Sequence, residues 1–375
     1  MSEKNFPGKS VGEPDRHRAS LEGWMQRNKP DVTDLRIPEM EMPASTGFSN
    51  ETVVFEATWK EGGAAVSQRF VARIEQADGG LFPDQTAECG TSVDVQQRIM
   101  KAVAACDVVP VPNVIAYDGD PAVLGRPFFV MDFIEGEIPG DIPAYTESGF
   151  LVDEATPAQR EQLVWDGVET LLALQKMDWR EAGLDWLDTS GTGAPTLASQ
   201  LGIYQSYVER ELAGREHRVL RACLEWLESN APSLDSVPVG VSWGDSRLAN
   251  MIWRDYRCVA VLDWEAVSLL PAEADLGWWV MFDRMAFDDK GIARLEGYPA
   301  REAMHAHWEK ATGRAVVGGI DYWEIFGAMR FDAIMIRLGD RLVDRGYVPK
   351  EANMAIESGT TAALERLLER QGVSF

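Results

Sequence analysis

Three residues in the stretch from Val241 to Leu276 have the types and spacing needed for phosphoryl chemistry: Asp245, Asn250 and Asp263. Asp245 follows an apolar run and Gly244. This predicts a tight loop at a strand end, where a carboxylate can reach a substrate hydroxyl. Asn250 lies five positions on (250 − 245) and precedes the apolar Met251, Ile252 and Trp253, so one loop would open with a carboxylate and close with an amide oxygen. Asp263, thirteen positions further (263 − 250), ends the run Val259 to Leu262, which reads as a buried strand of a hairpin. An amide oxygen and a carboxylate are hard ligands suited to Mg²⁺, which usually takes one or two protein ligands beside phosphates and water.

Singly, each residue has an ordinary explanation. Asp after Gly is a common turn former, Asn before an apolar run can simply end a loop, and Asp263 can simply end a strand. The combination Trp243-Gly244-Asp245, Asn250, Asp263-Trp264-Glu265 and Asp275-Leu276 is more specific. It resembles the catalytic core of the aminoglycoside phosphotransferase family, kinases of small molecules with a protein-kinase-like fold. The resemblance implies that Asp245 is the catalytic base, that Asn250 and Asp263 hold Mg²⁺, and that Asp275 is a structural carboxylate bracing the loop. Trp243 departs from the family, which usually has His there as a scaffolding residue, so packing around the loop is what the change affects.

At 375 residues the chain is long enough for two lobes. The expected architecture is α+β, with a small N-lobe built on an antiparallel sheet and a larger, mainly helical C-lobe. The boundaries are 1–132 for the nucleotide-binding lobe, with a flexible tail at 1–15, and 133–375 for the lobe carrying the catalytic loop and substrate site. Leu21, Trp24 and Met25 give a short helix one apolar face. The turn containing Thr46, Gly47, Ser49 and Asn50 precedes an alternating strand from Thr52 to Trp59; in the family this turn folds over the ATP phosphates. On the next strand, Phe70 to Ile74, Arg73 is the candidate for pairing with phosphate. In the following helix, Val93 to Ala104, Gln96 stands where the family tends to place the Glu that orients this basic residue. Asp94 and Glu88 lie nearby, and the partner of Arg73 stays open. Phe128 to Asp132 resembles the last N-lobe strand, and Met131, Phe133 and Ile134 the hinge that presents backbone groups to adenine. Beyond Gly136 apolar residues recur at helical spacing over 163–177, 201–212 and 219–227, and helices are expected near 300–311, 322–340 and 350–371.

A formal charge of −24, from 36 basic and 60 acidic residues, argues against nucleic acid or an anionic membrane as partner. The four Cys are scattered without a CxxC pair, which fits reduced thiols. No apolar run approaches the length of a membrane span, and the first thirty residues lack a signal-peptide core, so a cytoplasmic monomer or homodimer is expected. ATP and Mg²⁺ are the implied cofactors, with ATP against GTP left open. Two substrate classes remain. Glu265, Asp283, Asp288 and Asp289 would attract a polycation such as an aminoglycoside. Arg330, Arg337 and Arg341 would suit an anionic one, Arg247 is a further substrate-site candidate, and the segments LEWLESNAP and GAMRFDAIMIRL resemble the branch of the family found beside acyl-CoA dehydrogenases, which implies a hydroxyacyl compound or hydroxy acid. A pseudokinase that binds nucleotide or metabolite without turnover is the rival reading, motivated by Trp243 and the missing helix Glu.

Overall fold

The computed structural model describes residues 14–41, 50–86, 88–235 and 237–375. Thr46, Gly47 and Ser49, and the tail up to residue 13, lie outside them. Backbone packing divides the described residues into two compact units. One takes them from Met1–Leu81, Glu88–Lys101 and Pro112–Ile134, and the other from Phe82–Ala87, Ala102–Val111 and Glu135–Phe375. The first carries an antiparallel sheet and the second is mainly helical, the α+β organisation that the sequence implies.

In the first unit, helix α1 (Pro14–Asn28) leads into strands β1 (Thr33–Arg36), β2 (Met40–Glu41), β3 (Glu51–Glu61) and β4 (Ala64–Ile74). Helix α2 (Ser92–Cys106), which passes into the second unit after Lys101, β5 (Val114–Asp118) and β6 (Phe128–Asp132) follow. The sheet order is β1-β3-β4-β6-β5, with β2 also pairing β3. Period-two alternation on β3 turns Val53, Phe55, Ala57 and Trp59 to one face, where they pack with Phe70, Ala72 and Ile74 of β4. Leu21, Trp24 and Met25 of α1 cover that face, and the Trp24 ring centroid lies 4.9 Å from that of Phe128.

The second unit contains α3 (Phe150–Asp153), α4 (Pro157–Leu174), α5 (Leu197–Leu212) and α6 (Arg218–Ser229), then four short strands, β7 (Gly240–Ser242), β8 (Met251–Arg254), β9 (Arg257–Val261) and β10 (Ser268–Leu270). Helices α7 (Glu273–Ala286), α8 (Arg301–Thr312), α9 (Ile320–Asp344) and α10 (Gly359–Arg370) complete it. β8 and β9 form a hairpin, and β7 pairs with β10. The helix expected over 350–371 starts later. Residues Lys350–Ala352 form a single 3₁₀ turn, Asn353 is left-handed at φ 45°, and α10 begins after the Ser358 capping box, which supplies the partners its first N–H groups need. Asp332 on α9 accepts from Thr360 at 2.8 Å and Thr361 at 2.7 Å, and its other oxygen lies 3.3 Å from His217 Nε2 at the start of α6, so one buried carboxylate joins three helices. Among the described residues no helix is long and apolar enough to cross a membrane.

α7 packs along α9 with the two backbones in contact. A Cβ on Gly277 would lie 2.3 Å from the carbonyl oxygen of Trp323, so no larger residue fits without moving one helix. Gly277→Ala is therefore expected to destabilise the protein by ~1–3 kcal/mol, read as a lower denaturant midpoint at unchanged slope. A midpoint equal to wild type would show that the helices separate freely.

Candidate active site

The loop after β7 is shaped by Asp275, the third residue of α7. One of its carboxylate oxygens accepts the Ser242 hydroxyl (3.0 Å) and the Gly244 N–H (2.9 Å), and the other accepts the Trp243 N–H (2.8 Å). Its backbone carbonyl accepts the Ser246 hydroxyl at 2.8 Å. Burial raises the Asp275 pKa, and the N–H and O–H donors work against that rise. Gly244 makes the turn possible. Its φ is 89°, and a Cβ there would sit 2.1 Å from the carbonyl oxygen of Ala266.

This bracing presents Asp245 in a buried position at 8% exposure. Its Oδ1 accepts two N–H groups, the Trp278 indole at 2.9 Å and Arg247 Nε at 3.1 Å. Burial raises the Asp245 pKa; the Arg247 charge opposes the rise and the nearby Asp263 adds to it. Arg247 also holds both oxygens of Asp141, each at 2.7 Å, through Nη1. Burial works against the Arg247 charge, and the carboxylates of Asp245 and Asp141 more than offset it.

Asn250 and Asp263 stand at the open end of the β8–β9 hairpin, before its first strand and after its second. The Leu262 N–H donates to the Asn250 carbonyl at 2.9 Å, which fixes that register. The Asn250 amide nitrogen donates to the Asp245 carbonyl at 3.0 Å, turning the amide oxygen away from that contact. Asp263 is left-handed at φ 53°. Trp243, at 1% exposure, donates its indole N–H to the carbonyls of Leu262 (2.8 Å) and Asp263 (3.2 Å). The residue that departs from the family pattern is thus a tie between the loop and the hairpin. Among the described residues no three His, Cys, Asp or Glu side chains are grouped to cage a cation. One amide oxygen and one carboxylate fit a Mg²⁺ ion that draws its remaining ligands from phosphate and water, and do not fit a protein-only metal site.

Several other expected site residues are placed differently. Arg330 is 1% exposed inside the helical unit, with Nε donating to the Tyr204 hydroxyl at 2.8 Å. Asp283 is paired through both oxygens with Arg294, at 2.8 and 2.7 Å. Arg337 is paired with Glu211 at 2.6 Å, and Asp289 with Arg284 at 2.7 Å. The charges of Asp283, Arg337 and Asp289 are matched within the unit, while Arg330 meets a neutral hydroxyl. Glu265 is buried at 8% exposure. In the first unit, Arg73 donates to Thr52 Oγ1 at 2.8 Å, while Gln96, at 1% exposure, donates to Ser92 at 3.1 Å. Asn50 is fully buried and donates to the same Ser92 hydroxyl at 2.7 Å. Met131 is paired on both sides within the sheet, and the Phe133 N–H continues the ladder to the Arg69 carbonyl at 3.1 Å; of the expected hinge residues, Ile134 lies beyond these pairings. Sequence reasoning missed Trp278 and Asp141. Trp278 was detectable from its place three residues after Asp275, on the same helical face; Asp141 had no local signal.

A model of the phosphotransferase enzyme family matches residues 42–311. The chain belongs to that family. The chain is 25% identical to rat acyl-CoA dehydrogenase family member 11 over 321 residues, which is 83% of this chain and 37% of the relative. It is 28% identical to the chicken protein of the same name over 240 residues, 64% of this chain and 27% of the relative. It therefore spans well under half of the curated relatives it matches. Among solved structures, a Ralstonia eutropha protein described as an aminoglycoside phosphotransferase aligns with a TM-score of 0.67 at 22% identity, covering 94% of this chain and 98% of that one. A macrolide 2′-phosphotransferase from Brachybacterium faecium aligns with a TM-score of 0.51 at 16% identity, covering 93% and 97%. Both likenesses are of fold: a sheet unit and a helical unit of the kinase-like type.

Replacing Asp275 by Ala would leave two backbone N–H groups and a hydroxyl without acceptors, each costing ~1–3 kcal/mol. The expected result is a protein destabilised by at least ~2 kcal/mol, with the amides of Trp243 and Gly244 losing hydrogen-exchange protection. Retained protection at both would show that other contacts hold the loop.

Proposed function

We propose that this phosphotransferase is an ATP-dependent kinase that moves the γ-phosphoryl group onto a hydroxyl of a small molecule. The observation that carries this reading is the convergence of Asp245, Asn250 and Asp263 at one loop and hairpin end, with Asp275 bracing the loop. In this reading Asp245 orients the acceptor hydroxyl and takes its proton as the oxygen bonds to the γ-phosphorus and the bond to the bridging oxygen of ADP breaks. Asn250 and Asp263 would hold Mg²⁺, which when bound neutralises phosphate charge. Arg247, fixed between Asp245 and Asp141, keeps a positive charge next to the base. In the first unit Arg73 and the backbone at Ile134 are the candidates for the nucleotide, together with Thr46, Gly47, Ser49 and Asn50. The protein contributes orientation and fixed charge, and no nucleophilic side chain is required.

For the acceptor we favour a hydroxyacyl compound or hydroxy acid over an aminoglycoside. The named relatives are acyl-CoA dehydrogenase family members, whereas charge pairing does not separate the two classes, since Asp283 and Asp289 are matched by Arg294 and Arg284 and Arg337 is matched by Glu211. The pseudokinase reading loses one of its two motives, because Trp243 ties the loop to the hairpin; the other, Gln96 in place of the helix Glu, stands.

Asp245→Asn should lower turnover by at least a hundredfold while nucleotide affinity stays within about threefold; phosphate transfer and calorimetric titration of both proteins check this, and near wild-type turnover would remove Asp245 from its role. Asp263→Ala should weaken ATP binding in the presence of Mg²⁺ far more than in EDTA. Equal losses under the two conditions would assign Asp263 a purely structural part.

A further inference from the structure

Trp278 donates its indole N–H to the same Asp245 oxygen that receives Arg247 Nε, at 2.9 and 3.1 Å. A buried indole N–H needs an acceptor, and in most cores a backbone carbonyl serves. Trp243, Trp264 and Trp323 of this chain follow that pattern, donating to the carbonyls of Leu262, Val261 and Val317. Trp278 does not: its acceptor is the carboxylate at the head of the loop.

The ring is also held unusually firmly. It is 1% exposed, and the Arg330 guanidinium stands 4.7 Å from its centroid. Phe282 and Phe331 flank it at 5.4 and 6.0 Å. Arg330 is itself fixed by the Tyr204 hydroxyl, and its Nη1 is buried without a hydrogen-bond partner. A buried guanidinium with an unmatched N–H is costly, and of the three rings that its charge meets the indole is nearest, at 4.7 Å against 5.5 Å for Tyr204 and 5.8 Å for Phe326. A cation over the ring draws electron density from it and strengthens the N–H as a donor. Behind the ring, a Cβ on Gly327 of α9 would lie 3.3 Å from the Trp278 Cα, so the helix backbone cannot retreat.

We propose that Trp278, clamped by Arg330, is a positioning residue that commits Oδ1 of Asp245 to the protein and leaves Oδ2 to meet the acceptor hydroxyl. This rests on the reading of Asp245 as the base. The two donors on Oδ1 come from different directions in the chain, one from the loop and one from α7. Together they fix the rotation of the carboxyl group, so that one oxygen has a single use. Trp278 touches no substrate in this scheme and acts only through Asp245.

Phosphate release from MgATP with water as acceptor provides a readout that needs no identified substrate. Trp278→Phe keeps an aromatic ring in the pocket and removes the N–H. Its kcat should fall at least tenfold, with KM for MgATP within about twofold of wild type. In the double variant with Asp245→Asn the loss should equal that of Asp245→Asn alone, because the indole then has no carboxylate to position. In ¹⁵N-labelled protein, the Trp278 indole resonance, assigned by its absence from Trp278→Phe, should move on Asp245→Asn, and Arg330→Met should move it as well. Additive losses, or falls in kcat and MgATP affinity together, would reduce Trp278 to a packing residue and overturn the proposal. Wild-type kcat in Trp278→Phe, with Asp245→Asn inactive, would overturn it while leaving the base reading intact. Should the wild type release no phosphate, an indole resonance of Trp278 that stays in place on Asp245→Asn would overturn the proposal by itself, while the kinase reading is decided by transfer to a hydroxyl acceptor.

Discussion

A single buried carboxylate, Asp275, determines the shape of the loop on which the chemistry depends. Two consecutive backbone N–H groups and one hydroxyl end on it, and its carbonyl takes a second hydroxyl. Such a charge is costly to bury, and here the cost is offset by converging donors and by its place in the first turn of α7, where the helix dipole favours a negative group. Once Asp275 is in place, Asp245 follows one residue later with its carboxyl group against α7.

The loop carrying Asp245 is consequently held on two sides. α7 supplies Asp275 and Trp278, and the β8–β9 hairpin is tied in through the Trp243 indole and through the Asn250 amide. Trp243 shows how a scaffold position can change residue and still join the same two elements, because an indole N–H reaches the carbonyls of residues 262 and 263 across a span that buries the whole ring. α9 backs this arrangement by close glycine contacts and by Arg330, whose side chain lies in the packed interior.

What is readable from sequence is what depends on short separations. Asp245, Asn250 and Asp263 lie on one loop and one hairpin, so their spacing and the flanking apolar runs place them together. The strand alternation from Thr52 to Trp59 and the helical stripes follow from periodicity in the same way. The long-range charge pairings are not readable. Arg330 and Asp283 look available in the sequence because their partners, Tyr204 and Arg294, and their burial depend on how helices pack. Asp141 is 106 positions from Arg247, and nothing local marks it. The end helix is shorter than its pattern suggests because the apolar stripe continues back past the Ser358 cap, and the left-handed Asn353 that breaks it carries only a weak turn signal.

Whether a loop braced in this way transfers phosphoryl groups to a hydroxyl can be read by phosphorus NMR of the purified protein with MgATP and a panel of hydroxy acids, hydroxyacyl thioesters and aminoglycosides. A new phosphate monoester resonance, appearing together with ADP, is expected for at least one hydroxy acid or hydroxyacyl acceptor. ATP that binds and stays intact with every acceptor in the panel would contradict such transfer.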